Sequence, residues 1–166
     1  MTAETDQGWE LAQVNIGRVK AALDHPMMAD FVANLDPVNA LAESSPGFVW
    51  RLTGEGNDAS DIQAFDDPAI IINMSVWTDM DSLAAFAYRN AEHRTVMRRR
   101  KEWFEHMELF MCLWWVPKGH RPTPQEARER LETLGRLGPS PDSFTFKQPF
   151  PAPDSAPIKP ILESCP

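Results

Sequence analysis

A chain of 166 residues, 43% hydrophobic and 24% charged, has the size and composition of one compact domain, which excludes fibres, coiled coils and wholesale disorder. Its 24 acidic residues outweigh 16 basic ones for a formal net charge of -8, the wrong sign for neutralising phosphates, so a nucleic-acid partner is not expected. No run approaches the roughly 18 apolar residues of a membrane span, and the opening MTAETDQGWELAQVNIGRVK lacks the basic start and apolar stretch of a signal peptide, so a cytoplasmic protein with no membrane partner is expected.

The first strand is WELAQVNI, residues 9–16. It sets Leu11, Gln13 and Asn15 on one face against Ala12, Val14 and Ile16 on the other. After Pro26, the positions Met28, Phe31, Val32, Leu35, Val38, Leu41 and Ala42 fall near helical spacing, and Pro37 predicts an interruption. Pro46-Gly47 opens a second strand, FVWRLTG, and the polar string GEGNDASD supplies a loop. The β-branched run AIIINMSVW, residues 69–77, predicts a central strand apolar on both faces, apart from Asn73 and Ser75. Thr78 and Asp79 offer a cap for a helix through Leu83, Phe86 and Ala87, with a break near Asn90 and a second stretch from about 92 to 106. Residues 109–116, LFMCLWWV, are apolar on both faces and short, so a buried fourth strand fits better than a helix.

This order of strand, helix, strand, strand, helix, strand is the α+β, ferredoxin-like βαββαβ arrangement, an antiparallel sheet with helices on one face. Its other face also needs covering, and a second subunit stacked sheet to sheet is the simplest cover, so a homodimer is expected. Most of the 15 prolines lie at or after residue 117, where TPQE, residues 123–126, predicts the start of one more helix to about 136. SFTF then adds a short edge strand. The expected organisation is a single domain over 1–153, with its core at about 9–116, a helical extension at 117–153 and an extended proline-rich tail at 154–166.

The strings LAQVNIG, NMSVWTDMDSL, MRRRKEWF and LWWVPKGHRPTPQEA, with GPSPDSFTFKQPFPAP near the end, resemble a bacterial family of unknown function in the dimeric α/β-barrel, antibiotic-biosynthesis-monooxygenase-like superfamily. The resemblance runs from residue 9 to about 153. It implies the fold and the dimer more firmly than a reaction, since that superfamily holds cofactor-independent monooxygenases, haem-degrading oxygenases, haem peroxidases and dehydratases, isomerases and polyketide cyclases. By the same resemblance His93 lies on the second helix, where haem-binding relatives carry their axial histidine.

Chemically, a neutral imidazole at His93 can ligate iron or take a proton near neutral pH; otherwise it caps or crosses the helix junction at Asn90. Asn15, Asn73 and Ser75 interrupt apolar strands and need hydrogen bonds if buried. Asn15 and Asn73 are therefore candidates for orienting a substrate, and an internal network is the alternative. Trp50, Trp77, Trp103 and Trp115 are core residues or the walls of a site for a planar ligand, and Tyr88 can donate a hydrogen bond at the same helix end as His93. In the run Arg98-Arg99-Arg100-Lys101 successive residues point about 100° apart on a helix. One reading turns Arg99 (or Arg98) toward the pocket to pair an anionic group, and the other leaves a solvated face neutralised by Glu102 and Glu105.

The chain has no GxGxxG, Walker A, GxSxG, HExxH or CxxC string, Cys112 and Cys165 make no zinc pattern, and Asp58, Asp61, Asp66 and Asp67 lack calcium-loop spacing. No metal and no particular cofactor is expected. The residues favour a small-molecule enzyme of monooxygenase, cyclase or isomerase type, acting on an aromatic or polyketide-type substrate between sheet and helices, with His93 as base. A haem-binding redox enzyme with His93 as axial ligand and an arginine on the propionates, and a non-catalytic dimeric binding or stress module, are the alternatives. A ligand-sized cavity beside His93 holding an ionisable group separates the enzyme from the module.

Overall fold

The computed structural model describes residues 8–153 and residue 155, so the predicted tail, residue 155 apart, and Cys165 lie outside the described residues. Four strands, β1 (Trp9–Arg18), β2 (Phe48–Arg51), β3 (Ile70–Trp77) and β4 (Met111–Pro117), form one antiparallel sheet in the order β2-β3-β1-β4. This is the ferredoxin-like order the sequence predicts, with its two longest strands at the centre.

Between β1 and β2 runs α1 (Ala29–Glu43), preceded by a 3-10 turn, Pro26–Met28, that His25 caps through its side chain. The predicted interruption at Pro37 does not occur, because the helix continues through it. Proline forfeits one backbone hydrogen bond there, a loss that tertiary packing of the helix on the sheet absorbs. Gly47, at φ 84°, makes the left-handed turn into β2 that a side chain resists.

After β3 come α2 (Met80–Ala84), a π-helical turn (Ala85–Arg89), α3 (Ala91–Arg98) and α4 (Arg100–Trp103). The predicted break at Asn90 is real: its backbone is extended, and its side chain accepts hydrogen bonds from the amides of Glu92 and His93, capping α3. The single stretch expected from 92 to 106 is instead two short helices that end at Trp103, beyond which Phe104 is extended.

The sheet face carrying Ala12, Val14, Ile16, Ile72, Met74, Val76, Cys112, Trp114 and Val116 is buried within the chain itself. Its cover is α5 (Pro124–Leu137), through Ala127, Leu131 and Leu134, together with Leu52, Ile62 and Phe65 from the segment between β2 and β3. This corrects the reason for expecting a second subunit: the face thought to need one is closed by the chain's own C-terminal helix. Thr123 caps that helix by accepting from the amide of Glu126, and Pro124 follows at its first position, as the sequence predicts. The edge strand expected at SFTF shrinks to a bridge, in which Leu113 and Phe144 exchange backbone hydrogen bonds of 2.8 and 2.9 Å.

The other face, with Leu11, Trp77 and Leu113, packs under α1, α2 and the segment carrying Phe144 and Phe146. A third cluster of Met28, Trp103 and Phe104 plugs one end of the sheet. Gly17 fits there because Phe104 lies across it: a Cβ at that position would sit 2.5 Å from Phe104 Cδ1.

Leu131 is 2% exposed under the sheet, whereas Leu137, on the same helix, is 62% exposed. Leu131→Ala is therefore expected to cost about 3 kcal/mol in urea unfolding, and Leu137→Ala less than about 0.5 kcal/mol. Equal losses would contradict α5 as the cover of that face.

Candidate functional site

Between the polar sheet face and the helices lies an open cavity of ≈ 230 Å³. Its floor is built by register. In the antiparallel pairing of β1 with β3, Gln13 stands opposite Ser75, and Asn15 stands opposite Asn73. Alternation sends all four side chains to the same face, where they line the cavity.

The four groups form one hydrogen-bond network. Trp77 Nε1 donates to Ser75 Oγ at 2.8 Å, and Gln13 Nε2 donates to Ser75 Oγ at 2.8 Å and to Asn73 Oδ1 at 3.0 Å. Asn15 Nδ2 donates to Gln13 Oε1 and to Asn73 Oδ1, both at 3.1 Å. Asn73 Oδ1 thus accepts twice, and among the described residues its own amide NH₂ has no partner. Asn73 is exposed toward the open cavity, so that NH₂ is a donor available to a ligand.

His93 lines the same cavity from the first turn of α3. Its Nδ1 lies 3.1 Å from the carbonyl oxygen of Ala87, across the Asn90 junction. A carbonyl only accepts, so Nδ1 carries the proton and Nε2 is the basic nitrogen. Burial lowers the imidazole pKa below its ordinary 6.5, against a smaller opposing effect of the Ala87 hydrogen bond, so the ring is neutral at pH 7. Phe86 packs on it with ring centroids 4.5 Å apart and stacks on Trp77 at 5.3 Å. The crossing of the helix junction and the exposure to the cavity, alternatives in the sequence, coexist in this one side chain.

The remaining sequence candidates separate. Tyr88 and Trp103 line the cavity; Trp50, Trp77, Trp115 and Arg99 do not. Trp50 packs with the opposite sheet face, while Trp77 is 1% exposed beneath the floor and acts on it only through Ser75. Trp115 donates its N–H to the Phe150 carbonyl at 2.8 Å. Arg99 faces outward, its guanidinium held by Glu102 and Asp30, both at 2.8 Å. The arginine of that run that reaches the cavity is Arg100, which donates to the Ile16 carbonyl and lies over the rings of Phe104 and Phe110. Sequence reading missed Gln13 as a site residue, although its place between Leu11 and Asn15 on a polar-interrupted face was the signal. It also missed Asn39 of α1, which nothing in the helical pattern marked.

Cys112 is not a nucleophile for this cavity: it lies in the opposite core, where burial pushes its thiol up to about 12. Among the described residues no three His, Cys, Asp or Glu side chains gather to hold a metal ion. The residues do not fit a haem either. A volume of ≈ 230 Å³ falls below the usual range for drug-sized ligands, about 300–1,000 Å³, and a tetrapyrrole is larger still. Of the two arginines expected to reach a propionate, Arg99 is turned away and paired and Arg98 does not line the cavity, whereas Arg100 does. No helix among the described residues is long and apolar enough to cross a membrane.

Solved structures similar to the chain include a conserved protein from Methanosarcina mazei, with 12% identity, 64% of this chain and 90% of that one covered, and a TM-score of 0.46. They also include SnoaB, a cofactor-independent oxygenase from Streptomyces nogalater, with 18% identity, 69% and 95% covered, and a TM-score of 0.41. A third is a protein from Pseudomonas aeruginosa, with 10% identity, 69% and 98% covered, and a TM-score of 0.46. No curated protein matches the sequence. The family described as Domain of unknown function (DUF3291) matches residues 10–159, and the chain belongs to it.

Proposed function

We propose that the protein is a small-molecule enzyme of the cofactor-independent oxygenase, cyclase or isomerase type, acting on a compact aromatic or polyketide-like substrate by removing a proton from it. The observation that carries this reading is the meeting, in one cavity, of a neutral imidazole whose Nε2 is basic and an amide donor at Asn73 without a partner among the described residues.

His93 Nε2 takes the proton of an acidic C–H or O–H bond, and the electron pair stays on the substrate as an enolate or phenolate. The Asn73 NH₂ stabilises the developing oxyanion, its oxygen held by Gln13 and Asn15, while Gln13 donates in turn to Ser75, which also accepts from Trp77. Apolar walls from Phe31, Leu35, Val38 and Phe86 suit the faces of an aromatic substrate. In an isomerase or cyclase the proton returns to a different atom. In an oxygenase dioxygen is the co-reactant: it adds to the substrate carbanion, the proton returns, and loss of water converts CH₂ to C=O, so that CH₂ and O₂ give C=O and H₂O.

2-Tetralone, a bicyclic ketone with acidic α-protons, suits the cavity's size, and deuterium exchange at its C1 in D₂O, followed by NMR, tests the proton transfer without knowledge of the natural substrate. The protein is expected to accelerate exchange, and His93→Ala and Asn73→Ala are each expected to lose about 100-fold. Exchange no faster than in buffer, or unaffected by both substitutions, would sink the proposal. The pH dependence follows from the lowered pKa of His93. The basic form is lost as pH falls through a value below 6.5, so the rate rises with pH to a midpoint under 6.5 and is flat above it. A midpoint above 6.5 would contradict the buried neutral base. Titration with haemin, followed in the visible spectrum, is expected to give no saturable Soret shift at one haem per chain; a shift abolished by His93→Ala would restore haem chemistry.

A further inference from the structure

The helix side of the cavity carries a polar group that the proton-transfer reading does not use. Asn39 lies in the interior of α1 between apolar cavity-lining neighbours, Leu35, Val38 and Ala42. It is only 8% exposed, it lines the cavity, and its side-chain amide has no hydrogen-bond partner among the described residues. Neither local preference nor packing accounts for an asparagine here. Asn is a poorer helix former than Leu, and its amide, which draws no hydrogen bond from the described residues, opens on the cavity. There a ligand oxygen can meet it in place of water.

We infer that Asn39 is a specificity-determining residue that binds an oxygen substituent on the ligand edge remote from the sheet, so that the cavity selects compact planar bicyclic compounds carrying oxygen at both edges. The floor supplies one uncommitted amide, at Asn73, and the helix wall supplies the other, at Asn39, with Phe31 and Phe86 among the apolar walls of the same cavity. A hydroxyl or carbonyl satisfies either amide, since each offers a carbonyl oxygen and an NH₂ group. A ligand with a single oxygen engages Asn73 and leaves Asn39 as it was. This inference rests on the reading of the cavity as a substrate site and adds the class of molecule it takes.

The test uses two probes, 1,5-dihydroxynaphthalene and 1-naphthol, with calorimetric titration of the wild type, Asn39→Leu and Asn73→Ala. The diol is expected to bind the wild type about tenfold more tightly than naphthol, and Asn39→Leu is expected to abolish that difference while leaving naphthol within twofold. Asn73→Ala is expected to weaken both probes. Asn39→Leu is also expected not to lower the Tm of the free protein, because no hydrogen bond among the described residues is lost and leucine is the better helix former. A diol preference that survives Asn39→Leu, or a Tm that falls in that variant, assigns Asn39 to the scaffold and overturns the inference while the cavity reading stands. Naphthol binding that is absent, or indifferent to Asn73→Ala, overturns the cavity reading and this inference with it.

Discussion

The antiparallel register of β1 on β3 is the constraint on which the site depends. Pairing Gln13 with Ser75 and Asn15 with Asn73 concentrates four polar side chains on one patch of one sheet face. A slip of β1 by one residue would send Gln13 and Asn15 to the opposite face, where α5 seals an apolar core without room for them, and would split the patch. The same register puts Ala12, Val14, Ile72, Met74 and Val76 on that sealed face, so the core on one side and the amide floor on the other are set together. Each network hydrogen bond is worth only about 1 kcal/mol net. Leaving Gln13 or Ser75, both buried, without partners would cost more, so the network makes the register specific as well as furnishing the site.

Much of the fold was legible because its signals are local. Alternation marked β1 and β3, the Thr123-Pro124 cap marked α5, and Asn90 marked the helix break. The failures are where tertiary packing overrides local preference. Pro37 stays inside α1 because a helix docked on a sheet can lose one hydrogen bond. The cover of the far face was assigned to a second subunit because a helix following a proline-rich break gives no hint of where it docks. Only the packing of Ala127, Leu131 and Leu134 against β-strand residues shows that it folds back.

The site was half legible for similar reasons. Polar interruptions in apolar strands identified Asn15 and Asn73, since period-2 alternation states which residues share a face. Four consecutive basic residues carry no comparable phase: Arg99 meets Asp30 and Glu102 outside, while Arg100 reaches the cavity. Tryptophans are equally at home in core and site, and of the four proposed only Trp103 lines the cavity. Trp77 meets the cavity floor only through one hydrogen bond to Ser75.

Both ends of the proposed reaction rely on groups whose chemistry is set by what they are bonded to. Asn73 presents its NH₂ because its oxygen is occupied twice, and His93 presents a basic Nε2 because Nδ1 is committed to Ala87. The second statement can be checked on the protein alone, without any substrate. Nitrogen-15 NMR of the His93 ring across a pH titration is expected to show the Nδ1–H tautomer and a pKa below 6.5; an Nε2–H tautomer, or a pKa above 6.5, would contradict His93 as the resident base.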